Sequence, residues 1–333
     1  MKVALRRTLI CSSAVLSRAM ATSVPTVKLN DGALHPVVGY GTYKVGVVPA
    51  SASSAVAAGS TDTDAVNPAD CVAQALELGY RFLDCAEFYA NEKAVGEGIA
   101  RSGVPREELF LASKVWTTTI HKGPEAVQAQ LEKTLADLGT SYIDLYCIHW
   151  PVPGYHVAAY KQLEKAKAAG QIKSLGVSNY AVEDYKELMG ECEVKPTINQ
   201  IEINPFLYRK DTIDFFTSEG VVMQSYRTLR DGKAFGDPTI LSIAEKHSKS
   251  AAQVLGRWCV QHGFVAIPKS VKVDRMKENL QITDFALDEE DMAKLDAMTG
   301  EEAISKFVEL YRKCVVRDTP VPPDQAKMQI TEG

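Results

Sequence analysis

The sequence predicts an α/β protein: a parallel (β/α)8 barrel, entered through a short N-terminal β-hairpin and left through an irregular C-terminal tail. Three observations carry this. Eight short apolar runs recur along the 333 residues. Runs of this kind suit strands buried on both faces of a parallel sheet. Segments with helical spacing lie between them, and strand–helix alternation of this kind points to a barrel or an open doubly wound sheet. The third observation separates these two. The first run ends Gly39-Tyr40-Gly41-Thr42, whereas an open sheet would usually carry a GxGxxG fingerprint at this point.

In chain order, Thr26-Val27-Lys28-Leu29 and Ala33-Leu34 flank the turn signal Asn30-Asp31-Gly32, which reads as a hairpin. The eight strand candidates are 37–42, 81–86, 109–115, 143–149, 172–178, 197–203, 221–226 and 264–268. The clearest helix is 124–138. Val127, Leu131, Leu135 and Leu138 share one face, and Gly139 supplies the stop. Asn67-Pro68 opens another with a cap residue and a first-turn proline. Asn91 opens a third, with Val95 and Ile99 on one face and Gly103 near its end.

Residues 26–333 are expected to form one barrel domain. Residues 46–66, rich in Ala, Ser, Thr and Val, interrupt the pattern as a loop insertion at the catalytic face: a surface insertion by the plain reading, a flap over the site by the sharper one. The tail begins at about 301. Residues 1–25 form an N-terminal extension. Over 1–30 there are five basic residues and no acid before Asp31, the composition of an organelle transit peptide. The competing reading is a disordered extension with initiation at Met20. The compartment is therefore the cytoplasm, or a mitochondrion or plastid if the extension is a targeting signal.

The net charge of −5 argues against nucleic acid or an anionic membrane as the main partner. No apolar run is long enough to span a membrane. The seven cysteines are widely spaced with no CxxC pair, which fits a reducing compartment and no metal site. The expected partner is a small molecule, and the expected state a monomer, with a dimer as the alternative.

Functional residues of a barrel sit at the C-terminal ends of its strands. There the chain places Asp84, Tyr89, Lys114 and His149, from three adjacent strands. Each has a structural alternative: a cap or buried ion pair for Asp84 and Lys114, rim packing for Tyr89, a satisfied core histidine for His149. Together they suit carbonyl reduction, which needs a hydride at carbon and a proton at oxygen. A tyrosine is protonated at neutral pH and can donate. A nearby lysine would lower its pKa and stabilise a phenolate, an aspartate would orient that lysine, and a histidine could fix the carbonyl oxygen. Lys269, Ser270 and Arg275, beside the eighth strand, form a cation–hydroxyl–cation set where barrels often hold phosphate. Their bland alternative is a solvated helix face. Tyr43, Phe88, Trp116 and Trp150 follow the first four strands and could line a substrate pocket or simply pack loops.

These motifs resemble the aldo-keto reductase family. The resemblance rests on Asp84-x4-Tyr89-x-Asn91-Glu92, Ser113-Lys114-x-Trp116 and His149-Trp150-Pro151. Further along it rests on Gly176-Val177-Ser178-Asn179, Asn199-Gln200-Ile201-Glu202, Ile267-Pro268-Lys269-Ser270 and Arg275-x2-Glu278-Asn279. It implies an NADPH-dependent reductase of aldehydes or ketones. Tyr89 would be the general acid, assisted by Asp84, Lys114 and His149. Ser178, Asn179 and Gln200 would hold the nicotinamide carboxamide and Tyr226 would stack on the ring. Lys269, Ser270 and Arg275 would bind the 2′-phosphate, and Glu278 and Asn279 the adenine end. Thr42, Asp84, Arg227 and Leu229 would complete the cofactor contacts. Tyr43, Phe88, Trp116, His149 and Trp150 would line the substrate site. Where the family usually has Ser-Pro-Leu after this tyrosine, the chain has Arg227-Thr228-Leu229, so Arg227 would meet a phosphate or leave the cofactor held less tightly. The connection after Pro151 is short, which implies an open pocket. Two rivals remain: an NADP-binding redox-sensing or auxiliary module with little turnover, and an aldolase or isomerase using Lys114 as a Schiff base.

Overall fold

The computed structural model describes residues 24–46 and 66–307. The expectations placed on 1–23, on most of the 46–66 insertion and on the tail beyond 307 lie outside the described residues.

The antiparallel hairpin pairs β1 (Thr26–Lys28) with β2 (Leu34–Pro36), Val27 opposite His35. Its turn tip is tied down. Asn30 Nδ2 donates to Pro196 O at 2.9 Å, and Ser174 Oγ donates to Asp31 Oδ2 at 2.7 Å. The hairpin thereby covers the N-terminal end of the barrel.

Eight parallel strands follow: β3 (Tyr40–Gly41), β4 (Phe82–Asp84), β5 (Phe110–Val115), β6 (Ile143–Ile148), β7 (Ile172–Ser178), β8 (Ile198–Glu202), β9 (Val222–Tyr226) and β10 (Val265–Ala266). They pair in sequence order. The first and last edges meet through a parallel bridge between Val38 and Ala266. Gly39 N–H donates to Ala266 O at 2.8 Å and Ala266 N–H to Val37 O at 2.9 Å. Closure explains the two glycines of the first run. A Cβ on Gly39 would lie 2.1 Å from the Phe82 ring, and one on Gly41 would lie 2.9 Å from Ile267 O. Gly39 makes room for the Phe82 ring and Gly41 for the backbone at Ile267.

Each strand lies within its expected run. All six residues of β5 are buried, as two-sided packing requires. The central helices match their signals. Helix α1 (Pro68–Glu77) is capped by Asn67, whose side chain accepts from Ala69 N–H. Helix α2 (Glu92–Ser102) ends at Gly103 with φ 65°. Asn91 precedes it without a side-chain cap bond. Its Nδ2 instead donates to Thr42 O and Val45 O, at 2.9 and 3.0 Å, pinning the loop after β3. After a short turn, α3 (Thr117–Ile120), comes α4 (Pro124–Leu138), which ends at Gly139 with φ 68° and buries Val127, Leu131 and Leu135. The outer layer continues through α5 (His156–Ala168), α6 (Val182–Glu191), α7 (Lys210–Ser218), α8 (Pro238–Lys246), α9 (Ala251–Gln261), α10 (Val273–Leu280) and α11 (Glu289–Asp296). The first residues of the tail are not irregular: 301–307 is helical and brings Phe307 to the rim. Among the described residues no helix is long and apolar enough to cross a membrane.

Candidate active site

The C-terminal ends of β4, β5 and β6 deliver Asp84, Lys114 and His149 to one point, and a 3-10 turn (Glu87–Tyr89) carries Tyr89 back over them. The turn is held by Glu87, which accepts from Trp116 N–H and Thr119 Oγ1, both at 2.6 Å. Ala90, with φ 53°, closes it in the left-handed region.

Lys114 is the hub and is 1% exposed. Its Nζ donates to Asp84 Oδ1 at 2.8 Å, Asp84 Oδ2 at 3.0 Å and Cys85 O at 2.9 Å. It also lies 3.2 Å from Tyr89 OH. A buried ammonium is tolerated because a carboxylate and a carbonyl replace its water. Burial pushes the Tyr89 pKa well above 10, and the Asp84 charge adds to the rise. The expected lowering by Lys114 is not met: Asp84 already balances that cation, and burial outweighs the remainder. Tyr89 is therefore a protonated phenol. Burial, then the Lys114 charge, holds His149 well below 6.5, so its ring is neutral. Its Nδ1 is buried with no hydrogen-bond partner among the described residues.

These groups border a cavity of about 350 Å³. Asp84, Tyr89 and His149 line it, as do the predicted substrate residues and the predicted cofactor residues apart from Thr42. Lys114 lies behind the wall. The Thr42 hydroxyl donates to Asp84 O at 2.9 Å, and the residue is fully buried. It braces the Asp84 backbone and does not reach the cavity.

One end of the cavity is aromatic. Phe88 and Trp116 stack with centroids 4.2 Å apart, and Trp116 meets His149 edge-on at 4.8 Å. Trp150, Leu207 and Phe307 join the same apolar cluster, with Tyr43 packed against it. The other end is cationic and polar, with Lys269, Ser270 and Arg275 on its wall. Between the two lie Ser178, Asn179 and Gln200. Ser178 Oγ donates to Gln200 O at 2.8 Å. Asn179, with φ 59°, donates through Nδ2 to His149 O at 3.1 Å and accepts from Tyr226 OH at 2.8 Å. Arg227, with φ 51°, places its guanidinium 3.1 Å from both Glu202 and Asp231, so its charge is already matched.

Sequence reasoning missed several wall residues, among them Lys44, Asp231, Phe235 and Phe307. Lys44 directly follows a predicted pocket residue and was within reach of the strand-end argument. Phe307 was not, because nothing local connects the tail to the rim. A cation–π contact with Arg209, 4.1 Å from its ring centroid, helps fix it there.

A family model described as the aldo/keto reductase family matches residues 38–299. The chain belongs to this family. It is an oxidoreductase, as the aldo-keto reductases are. A curated relative named glyoxal reductase, from Bacillus subtilis, is 41% identical over 286 residues, covering 86% of this chain and 97% of that one. An aldo/keto reductase structure from Brucella melitensis superposes with a TM-score of 0.73 at 37% identity, covering 83% of this chain and 99% of the other. A Bombyx mori aldo-keto reductase solved in complex with NADP superposes with a TM-score of 0.75 at 30% identity, covering 83% and 93%.

Proposed function

We propose that the chain reduces aldehydes or ketones to alcohols with NADPH, Tyr89 donating the proton to the carbonyl oxygen. The observation that carries this is the buried Lys114, 3.2 Å from Tyr89 OH and held by both oxygens of Asp84. When bound, the cofactor supplies the hydride. The cavity suits it: an anionic end group meets Lys269 and Arg275, with Ser270 as a further donor, while Glu278 and Asn279 border the same end. Ser178, Asn179 and Gln200 lie between that end and the catalytic group, where a carboxamide needs both donors and acceptors.

The pKa directions divide the labour. His149, neutral at pH 7, cannot deliver a proton as an imidazolium, but it can donate a hydrogen bond to the carbonyl oxygen and fix it. Tyr89, protonated, can release its proton as negative charge develops on that oxygen. Lys114 then faces the new phenolate at the distance it already holds, with no reorganisation. Asp84 keeps the ammonium in place. The aromatic end excludes water and favours carbonyls with apolar substituents. It is spacious enough for these and imposes no lower size limit, so small dicarbonyls such as glyoxal belong in the test.

The test is NADPH and NADH oxidation with a panel of aldehydes, ketones and glyoxal, for wild type and Tyr89→Phe. The variant should lose about a hundredfold or more of turnover while still binding NADPH. Near wild-type turnover in Tyr89→Phe would sink the mechanism. Tight NADP binding with no turnover on any carbonyl would favour an auxiliary module.

A further inference from the structure

His35 lies on the hairpin that covers the barrel floor. It is fully buried, and the catalytic scheme gives it no task. Its ring sits against Phe82 and Phe110, with centroids 4.5 and 4.2 Å away. Burial holds its pKa at about 4, so the ring is neutral and carries one N–H. Nδ1 is 2.7 Å from Pro36 O, which can only accept, so the proton is on Nδ1. Nε2 is then a bare acceptor, and Gln224 Nε2 donates to it at 3.2 Å. That orients the Gln224 amide, whose Oε1 accepts from Gln200 Nε2. The second N–H of Gln200 reaches Asp84 Oδ1 at 2.8 Å.

The chain has one direction only. Turning Gln224 over would set its oxygen against the His35 lone pair. Turning Gln200 over would set its oxygen against the Asp84 carboxylate. Both N–H groups of Gln200 are therefore committed. Its Oε1 has no hydrogen-bond partner among the described residues, and Gln200 lines the cavity.

Resting on the cofactor assignment above, we propose that His35 and Gln224 are positioning residues. They lock Gln200 so that Oε1 accepts from the amino group of the nicotinamide carboxamide. A primary amide has two such hydrogens, and an oxygen facing it is the complementary partner. An unlocked Gln200 could present either end, and the nicotinamide would be held in a mixture of poses.

The test uses the full-length protein, its His35→Met and Gln224→Met variants, and two ligands titrated by calorimetry. One is NADP, and the other is adenosine 2′,5′-bisphosphate, which keeps the phosphate end and lacks nicotinamide. Both Met variants should bind NADP about tenfold more weakly, the order expected for one oriented hydrogen bond, with bisphosphate affinity unchanged. Wild-type affinity for both ligands in the Met variants would overturn the relay. So would an equal loss for both, which marks general loosening of the barrel. If the wild type bound neither ligand, the cofactor assignment itself would fall, and the relay with it.

Discussion

Replacing Lys114 by methionine isolates the element on which the site depends. The side chains are similar in length and volume, so packing is largely kept. The loss is electrostatic. Asp84, 1% exposed, keeps its charge and loses both contacts from Nζ, at 2.8 and 3.0 Å. Among the described residues only Gln200 Nε2 still donates to its side chain. Stranding one member of a buried pair typically costs 3–5 kcal/mol. For a domain of this size each kcal/mol lowers the unfolding midpoint by roughly 2–4 °C. Lys114→Met should therefore melt about 10 °C below wild type by circular dichroism. Adding Asp84→Asn removes the stranded charge and leaves an acceptor for Gln200. The double variant should recover at least half of the loss while remaining inactive. A single variant melting within about 3 °C of wild type would refute the account of Asp84 as a compensated buried charge. So would a double variant no more stable than the single.

Three other outcomes follow from the same structure. Arg275→Ala should weaken NADPH by about ten- to a hundredfold, the range for a charge-assisted contact, and NADH far less. Equal losses by fluorescence titration would reject a 2′-phosphate site there. Phe307→Ala, which opens the aromatic end, should raise KM about tenfold for bulky aldehydes and leave glyoxal unchanged. The same change in KM for both substrates, or no change in either, would separate this residue from the substrate. Stability against pH should reflect two buried groups with opposite signs. His35, lowered from 6.5 to about 4, favours the folded state above pH 6.5 and loses that contribution as pH falls toward 4. Glu92, raised by burial from 4.5 to about 7, favours it below pH 4.5 and loses that contribution as pH rises through 7. Each shift corresponds to about 3 kcal/mol across its window, and the windows overlap. Wild type should thus be nearly flat between pH 5 and 6.5 with respect to these two groups. His35→Met should gain stability on acidification relative to wild type, and Glu92→Gln should lose it. Parallel melting curves against pH for all three proteins would contradict both assignments.

Much of this protein is local in its encoding. The apolar run from Phe110 to Val115 is a buried strand because a parallel barrel packs both of its faces. The turn signals at Gly103 and Gly139 end helices where written, because left-handed backbone at those points suits glycine. Strand ends are also where barrels carry chemistry, so Asp84, Lys114 and His149 were readable from topology alone. Contacts between distant segments were not readable. No local pattern shows that Asn91 spends its amide on the loop after β3 instead of its own helix, or that Thr42 braces Asp84 from behind. The protonation states were beyond reach for the same reason. Adjacent strand ends placed a cation near Tyr89, but only the packed interior shows that Asp84 balances it and that burial decides the result. The hydrogen-bond chain from His35 to Asp84 includes a contact between residues 189 apart in the sequence, and it exists only because closing the barrel brings the floor hairpin beneath β8 and β9. The chain's residue types thus determine its elements and its chemistry; closure determines which of them meet, because side-chain polarity is local whereas desolvation and hydrogen-bond direction depend on everything packed around it.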